Sequence, residues 1–452
     1  MEPILEYYRS PDIRARMLEF LGGRSLDEAT CMYINGYTEH VHQPIKYRPP
    51  QEMEKFLEAG LDVSRAVWDR HHLLVDLDVE YVNFDFPAEP YLHPDRTFDI
   101  QQPVEWAIEE TLLKFGIQSL HLMSGRGHHF QWNIARDSNA YQRLAELGEV
   151  PDYLAGVYEA TFGPVGAPVG IEHGSASAGL SLVAEYLGHI IKELAAPNCR
   201  IPVELTAVEA GPRERGREIV SVDISEYGDP IHLRALRVPF SVYLKPLQQR
   251  QMLGSHHVET FPFTFLIPRD EMDAVRSIAV MRDAYQVIEL AKRTPVFIPD
   301  QAEAMDSLID AYEQSELAGF HEWFYSVEHD APSEWWRTYD LFPMDSLPPC
   351  VRHILDRPND LLLKPACLEL VVRVFLAFGW HPRHIAGFIR SKYERNFSWG
   401  ERWYIYSAGM RADFYTRIFS GLFFVGRDDL MDFNCRSMQE KGYCFRPCRE
   451  CN

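Results

Sequence analysis

The run His71-His-Leu-Leu-Val-Asp-Leu-Asp-Val-Glu-Tyr-Val-Asn-Phe-Asp85 places two carboxylates, Asp76 and Asp78, inside an otherwise apolar stretch. Leu73, Leu74, Val75 and Leu77 predict a mostly buried strand, and strand residues two apart point the same way, so the two acids share a face. A dry carboxylate is costly unless something pairs it. Two of them side by side repel, and a divalent cation that prefers oxygen ligands, Mg2+ or Mn2+, is the usual compensation. The same pattern also fits a strand end whose acids simply reach water, so the rest of the chain has to decide.

The surrounding elements are those that would position such a pair. Residues 1–70 predict helices, with Ile13, Met17 and Leu18 at helical spacing before Gly22-Gly23. A helix is expected over Pro103–Phe115, with Pro at its start, Val104, Ile108, Leu112 and Phe115 in one stripe, and Gly116 ending it. Ile117–Met123 and Phe130–Ile134 predict two short strands around Ser124-Gly-Arg-Gly-His-His129. Leu180, Val183, Leu187, Ile190 and Leu194 mark another helix, and Glu218–Ile224 a strand carrying one acid, Asp223. Residues 255–330 are expected to be mostly helical, Pro332, Pro343, Pro348 and Pro349 to mark a linker, and the chain from Cys350 to be helical again. The loop Gly163–Gly170 lacks the Lys-Ser/Thr ending of a nucleotide P-loop.

At 452 residues the chain can form two or three domains, and 46% hydrophobic residues make it globular. No apolar run approaches a membrane span, and the first residues lack a secretion signal, so a cytoplasmic protein with no membrane partner is expected. Cys350, Cys435, Cys444, Cys448 and Cys451 crowd the last quarter, which in a cytoplasmic protein favours a metal or cluster site over disulfides; Cys31, Cys199 and Cys367 read as small core residues. The net charge of −21 opposes tight nonspecific duplex binding, yet residues 351–452 hold 16 Lys+Arg against 11 Asp+Glu, a net of +5. A local basic channel is compatible with that distribution.

Taken in order, Asp76-Leu-Asp78, Ser124-Gly-Arg-Gly-His-His129, Asp223 and His232-Leu-Arg…Pro239-Phe-Ser-Val…Lys245 resemble the motifs of the archaeo-eukaryotic primase superfamily, most closely the small catalytic primase subunit. The resemblance spans roughly residues 60–250. It implies a catalytic domain of α/β (α+β) class with a mixed or antiparallel sheet. It also implies that Asp76, Asp78 and Asp223 hold two catalytic Mg2+ or Mn2+ ions for nucleotidyl transfer. Ser124, Arg126, His129, His232 and Lys245 are then the nucleotide-binding residues, with Gly125 and Gly127 letting the backbone approach phosphate. His128 is expected to be a partly exposed neighbour of His129, and Glu80 and Asp85 to be surface acids. Many family members carry a cysteine-rich zinc knuckle between the second and third motifs; this chain has only Cys199 there, so no zinc is expected in the catalytic domain.

The last hundred residues resemble the C-terminal domain of the large primase subunit, through Pro348-Pro-Cys350, Asn434-Cys-Arg-Ser-Met438, Gly442-Tyr-Cys444 and the two last cysteines. That implies an all-α domain around a [4Fe–4S] cluster held by Cys350, Cys435, Cys444 and Cys451, with Cys448 the alternative fourth ligand. Zinc through Cys444, Cys448 and Cys451 is the competing assignment. Lys364, Arg373 and Arg417 are candidates to hold template or an initiating triphosphate. The expected layout is a catalytic domain over 1–260, a helical connector over 261–345 and a cluster domain over 346–452. The expected function is a DNA primase or primase-polymerase acting on single-stranded DNA with nucleoside triphosphates, any helicase being a separate partner. A primer-extending gap-filling or translesion polymerase that cannot initiate, and a non-catalytic nucleic-acid-binding subunit, are the rivals.

Overall fold

A long central strand organises the chain. In order, the strands are β1 (Ile34–Tyr37), β2 (Pro44–Arg48), β3 (Asp62–Ala66), β4 (His72–Asn83), β5 (Leu120–Met123), β6 (Gly127–Ala135), β7 (Val203–Leu205), β8 (Glu218–Asp223), β9 (Ala235–Arg237), β10 (Val242–Tyr243), β11 (Thr264–Phe265) and β12 (Ile267–Pro268). The computed structural model describes residues 2–37, 44–161, 166–208, 217–228, 235–247, 263–356, 361–395, 407–428 and 435–444. A six-stranded sheet has the order β12-β5-β6-β4-β8-β7, and a four-stranded antiparallel sheet the order β2-β1-β3-β9. Among the described strands β7 and β8 pair in parallel and the other pairs are antiparallel, so the larger sheet is mixed and the class is α+β, as expected. No described helix is long and apolar enough to cross a membrane.

The period of two along β4 divides its residues cleanly. Leu73, Val75, Leu77, Val79 and Tyr81 join the main core, together with Phe130, Trp132 and Ile134 of β6 and Val220 and Val222 of β8. They pack against the helix Pro94–Phe115, whose buried residues include Val104, Ile108 and Leu112. That helix begins nine residues before the expected start at Pro103, which sits inside it. Proline there removes one ladder hydrogen bond, but Thr97, Phe98 and Ile100 of the added turns are buried, and their packing holds the helix together.

Residues 1–70 are not all helical: β1, β2 and β3 lie there. Their strand character is hidden in the sequence because Asp62 and Arg65 are buried polar residues satisfied by tertiary partners, which no apolar alternation announces. The boundary expected at residue 260 also falls inside a packed unit. Ile267 of β12 pairs with Met123 of β5, and Phe265, Val287 and Leu290 share a core with Ile13 and Met17.

The boundary at 345 is no break in the core either. One continuous cluster of buried side chains runs from β4 through the helix Ile171–Ala195 to the helices Pro365–Ala377, Pro382–Tyr393 and Ala408–Phe424. Across this seam Arg417 donates to Glu185 Oε2 at 2.8 Å, Ser181 Oγ at 2.8 Å and Tyr325 Oη at 3.0 Å. Arg417 is therefore a structural cation, not one free for template or triphosphate. Arg373 is likewise held by Glu369 and Asp428, and Lys364 lies 5.0 Å from the Tyr443 ring centre. The positive excess of the tail is thus partly consumed by acids of the same fold. The stretch 332–346 is a string of short 3-10 turns that buries Trp335 and Tyr339, so it is packed structure and not a free linker.

Candidate active site

The even-numbered residues of β4 face away from the Pro94–Phe115 helix. Asp78 pairs with His129 on β6 to one side and with Asp223 on β8 to the other. Strand partners share a face, so three side chains expected to do chemistry form one row across three strands. Asp76 lies one pleat along, opposite Gln131. The sheet assembles the row from segments as far apart as residues 78 and 223.

His129 Nδ1 stands 3.4 Å from Asp76 Oδ2 and 3.6 Å from Asp78 Oδ1. Asp76 is 2% exposed, and among the described residues neither its Oδ1 nor Asp78 Oδ1 has a hydrogen-bond partner. Burial raises the Asp78 carboxyl well above its ordinary range; His129 opposes the rise, while Glu80, Asp76 and Asp223 add to it. Burial works to lower the His129 imidazolium, but Asp78 and Asp76 outweigh it and the net shift is upward. This is a site short of positive charge: one imidazolium serves two carboxylates, and two buried oxygens are left over. Those oxygens, on oxygen-only ligands, fit a hard divalent cation such as Mg2+ or Mn2+.

A cavity of about 310 Å³ is lined by Asp76, Asp78, Ser124 and His129 together with Arg237, Tyr243 and Lys245. Asp223 borders the row, its Oδ1 accepting the Ser225 amide at 2.9 Å. Tyr227 anchors the backbone beneath, donating to the Asp76 carbonyl at 2.8 Å.

Glu80 corrects the expectation of a surface acid. It shares the face of Asp76 and Asp78, and its carboxylate receives Arg126 Nε at 2.6 Å and lies 3.7 Å from Lys245 Nζ. Burial alone would raise Glu80, but Arg126 and Lys245 more than cancel it and hold the acid ionised. Arg126, expected to meet triphosphate directly, is thereby committed to Glu80, whereas Lys245 is 36% exposed and lines the cavity. Asp85 does behave as a surface acid, 48% exposed and paired with Arg217.

Ser124 is buried, with its hydroxyl donating to Gly127 O at 3.3 Å. The glycines have a packing reason of their own. A side-chain carbon at 127 would come within 1.8 Å of the Val79 carbonyl, and one at 125 within 2.7 Å of the Tyr243 ring. Only hydrogen at these positions lets the β5–β6 hairpin close on β4 and the cavity wall.

His128, expected to be partly exposed, is fully buried. It points to the opposite face of β6 from His129, beneath the early turns of the Pro94–Phe115 helix, with its ring centre 5.3 Å from that of Phe98. The misplaced helix start explains the error, because the cover over His128 comes from residues before Pro103.

Arg237 is a cavity residue that sequence reasoning did not single out. Its Nε donates to Asp62 Oδ1 and Oδ2 at 2.8 and 2.9 Å, and its guanidinium sits 4.1 Å from the Tyr243 ring centre. It lies within the basic segment that begins at His232, which was the available signal. His232 itself is outside the described residues.

In the C-terminal helices, Cys350 and Cys444 are partly buried against the main core, and Cys435 opens the helix Cys435–Glu440. Among the described residues, no three of these thiols bring their sulfurs within 4.8 Å of one another. Cys448 and Cys451 are outside the described residues, so neither the fourth cluster ligand nor the zinc alternative falls within them. No family model, curated protein or solved structure matches this chain.

Proposed function

We propose that the chain is a DNA primase or primase-polymerase, a nucleotidyltransferase that builds strands on single-stranded DNA from nucleoside triphosphates. The observation that carries this reading is the row His129–Asp78–Asp223, with two unsatisfied carboxylate oxygens beside it under a cavity. In this reading Asp76, Asp78 and Asp223 hold two Mg2+ or Mn2+ ions, which when bound activate the attacking hydroxyl and neutralise the leaving pyrophosphate.

The chain's own residues do the rest. His129, kept protonated by its two aspartates, supplies an N–H donor to the cavity it lines. Lys245, which also lines the cavity, supplies a second cation, and His232 a third by the resemblance. Arg126 acts at one remove: by neutralising Glu80 it keeps a third β4 carboxylate from competing with Asp76 and Asp78 for the ions. The C-terminal helices are proposed to carry a [4Fe–4S] cluster through Cys350, Cys435, Cys444 and Cys451 or Cys448. Protein purified without oxygen then contains about four irons per chain; stoichiometric zinc without iron would refute the cluster.

A gel assay tests the reading. Single-stranded DNA, labelled nucleotides and Mn2+ or Mg2+ are incubated with the chain, with and without an annealed primer. Products in both arms support a primase-polymerase. Products only with primer assign the extending polymerase, and a chain that binds DNA but makes no product in either arm is the non-catalytic subunit.

A further inference from the structure

We propose that Glu105, His121 and His128 form a binding site for a zinc-class divalent ion on the face of the six-stranded sheet opposite Asp76 and Asp78. Among the described residues they are a set of three whose ligand atoms, one from each, all lie within 4.8 Å of one another. The expectation of no zinc in this part of the chain rested on missing cysteines, and these three residues are a different donor set, two imidazoles and a carboxylate, which suits zinc.

His128 carries the argument. It is fully buried, and among the described residues its Nε2 has no hydrogen-bond partner. That nitrogen faces Glu105 Oε2 across 4.0 Å, too far for a hydrogen bond but about twice a zinc–ligand bond. On the other side of the ring, His128 Nδ1 and His121 Nε2 are 2.9 Å apart. A ring gives one nitrogen to one ion, so an ion on His128 Nε2 requires His121 to turn from His128 Nδ1 toward it, within a set whose ligand atoms already lie within 4.8 Å of one another.

The remaining charges favour a cation. Glu109 Oε1 lies 3.8 Å from His121 Nδ1, and Arg269 Nε takes Glu105 Oε1 at 3.2 Å, leaving Oε2 for the site. Two carboxylates against one guanidinium leave a net negative charge around two imidazoles that burial keeps neutral at pH 7. His121 and Glu109 also line a cavity of about 580 Å³, which gives an ion its path in. The site lies on the hairpin that carries Ser124 and His129, and a bound ion would tie that hairpin to the Pro94–Phe115 helix.

Metal-stripped protein is titrated with Co2+ in excess Mg2+, comparing the parent with His128→Leu and Glu105→Gln. The parent is expected to bind about one more Co2+ than either variant. The lost absorption should be that of nitrogen and oxygen ligands, with any thiolate-to-cobalt band from the C-terminal cysteines unchanged. Zn2+ should raise the parent Tm by more than that of either variant. Equal Co2+ stoichiometry and spectra in all three proteins would overturn the site. If His128→Leu does not fold, Glu105→Gln decides alone, since it keeps the side-chain shape.

Discussion

Asp78 and Asp223 are cross-strand partners in the β4–β8 pair, although 145 positions separate them in the chain. Directly opposed acids destabilise a sheet, and nothing in the fold of β4 or β8 requires them. A sheet that keeps this pair, adds Asp76 one pleat away and leaves buried oxygens without donors has a charge deficit that an ion would fill.

Asp78→Asn should therefore stabilise the metal-free protein. A carboxyl whose folded pKa is raised contributes its full stability below the unfolded value and loses it as pH rises through the folded value. In EDTA at pH 8 the variant should gain on the order of 1 kcal/mol, with little difference near pH 4. Adding Mn2+ should raise the Tm of the parent and much less that of the variant. A variant less stable than the parent in EDTA at pH 8 would contradict the charge-deficit account.

The buried imidazoles predict acid lability. Burial holds His128 down to about 4 and His173 and His189 down to about 3, and lowers His121 and His321 as well. Unfolding releases each to an ordinary value near 6.5, so the unfolded chain binds more protons below that pH. The stability is present above the unfolded pKa and is lost as pH falls toward the folded values, with a slope of about 1.4 kcal/mol per pH unit for each group. Urea midpoints between pH 7.5 and 5 should show this fall. His189→Leu removes a ring with two unpartnered nitrogens and should flatten the profile; an unchanged slope would show that His189 is already protonated in the fold.

Arg417→Met tests whether the two halves form one folding unit. Among the described residues it leaves Glu185, fully buried, with His321 at 3.3 Å as its ion-pair partner, and stranding a buried charge costs about 3–5 kcal/mol. Glu185→Met combined with Arg417→Met should recover most of that loss, because no charge is then stranded. Denaturant curves measure both. A single variant as stable as the parent would mean the seam is not closed in solution.

Much of the site was legible because strands alternate. Spacing alone places Asp76 and Asp78 on one face; His129 and Asp223 enter through the resemblance, and the β4–β6 and β4–β8 pairings set both beside Asp78. Glu80 and His128 were misread for reasons local sequence does not carry. Glu80 owes its burial and charge to Arg126 and Lys245, and His128 to a helix that runs through Pro103 where proline predicts a start. The Pro-rich turns look like a linker in the sequence until Trp335 and Tyr339 are seen packed into the core. Arg417 looks like a free basic residue until Glu185 is placed beside it.

The most direct measurement is single-nucleotide incorporation on a primed single-stranded template, comparing the parent with Asp76→Asn/Asp78→Asn. The thermal transition is recorded alongside, so that loss of fold cannot pass for loss of chemistry. The account predicts that the double variant folds at least as stably in EDTA, still binds the template, and loses incorporation by at least about a thousandfold. A folded double variant that incorporates nucleotides at the parental rate would contradict the assignment of this row as the catalytic centre.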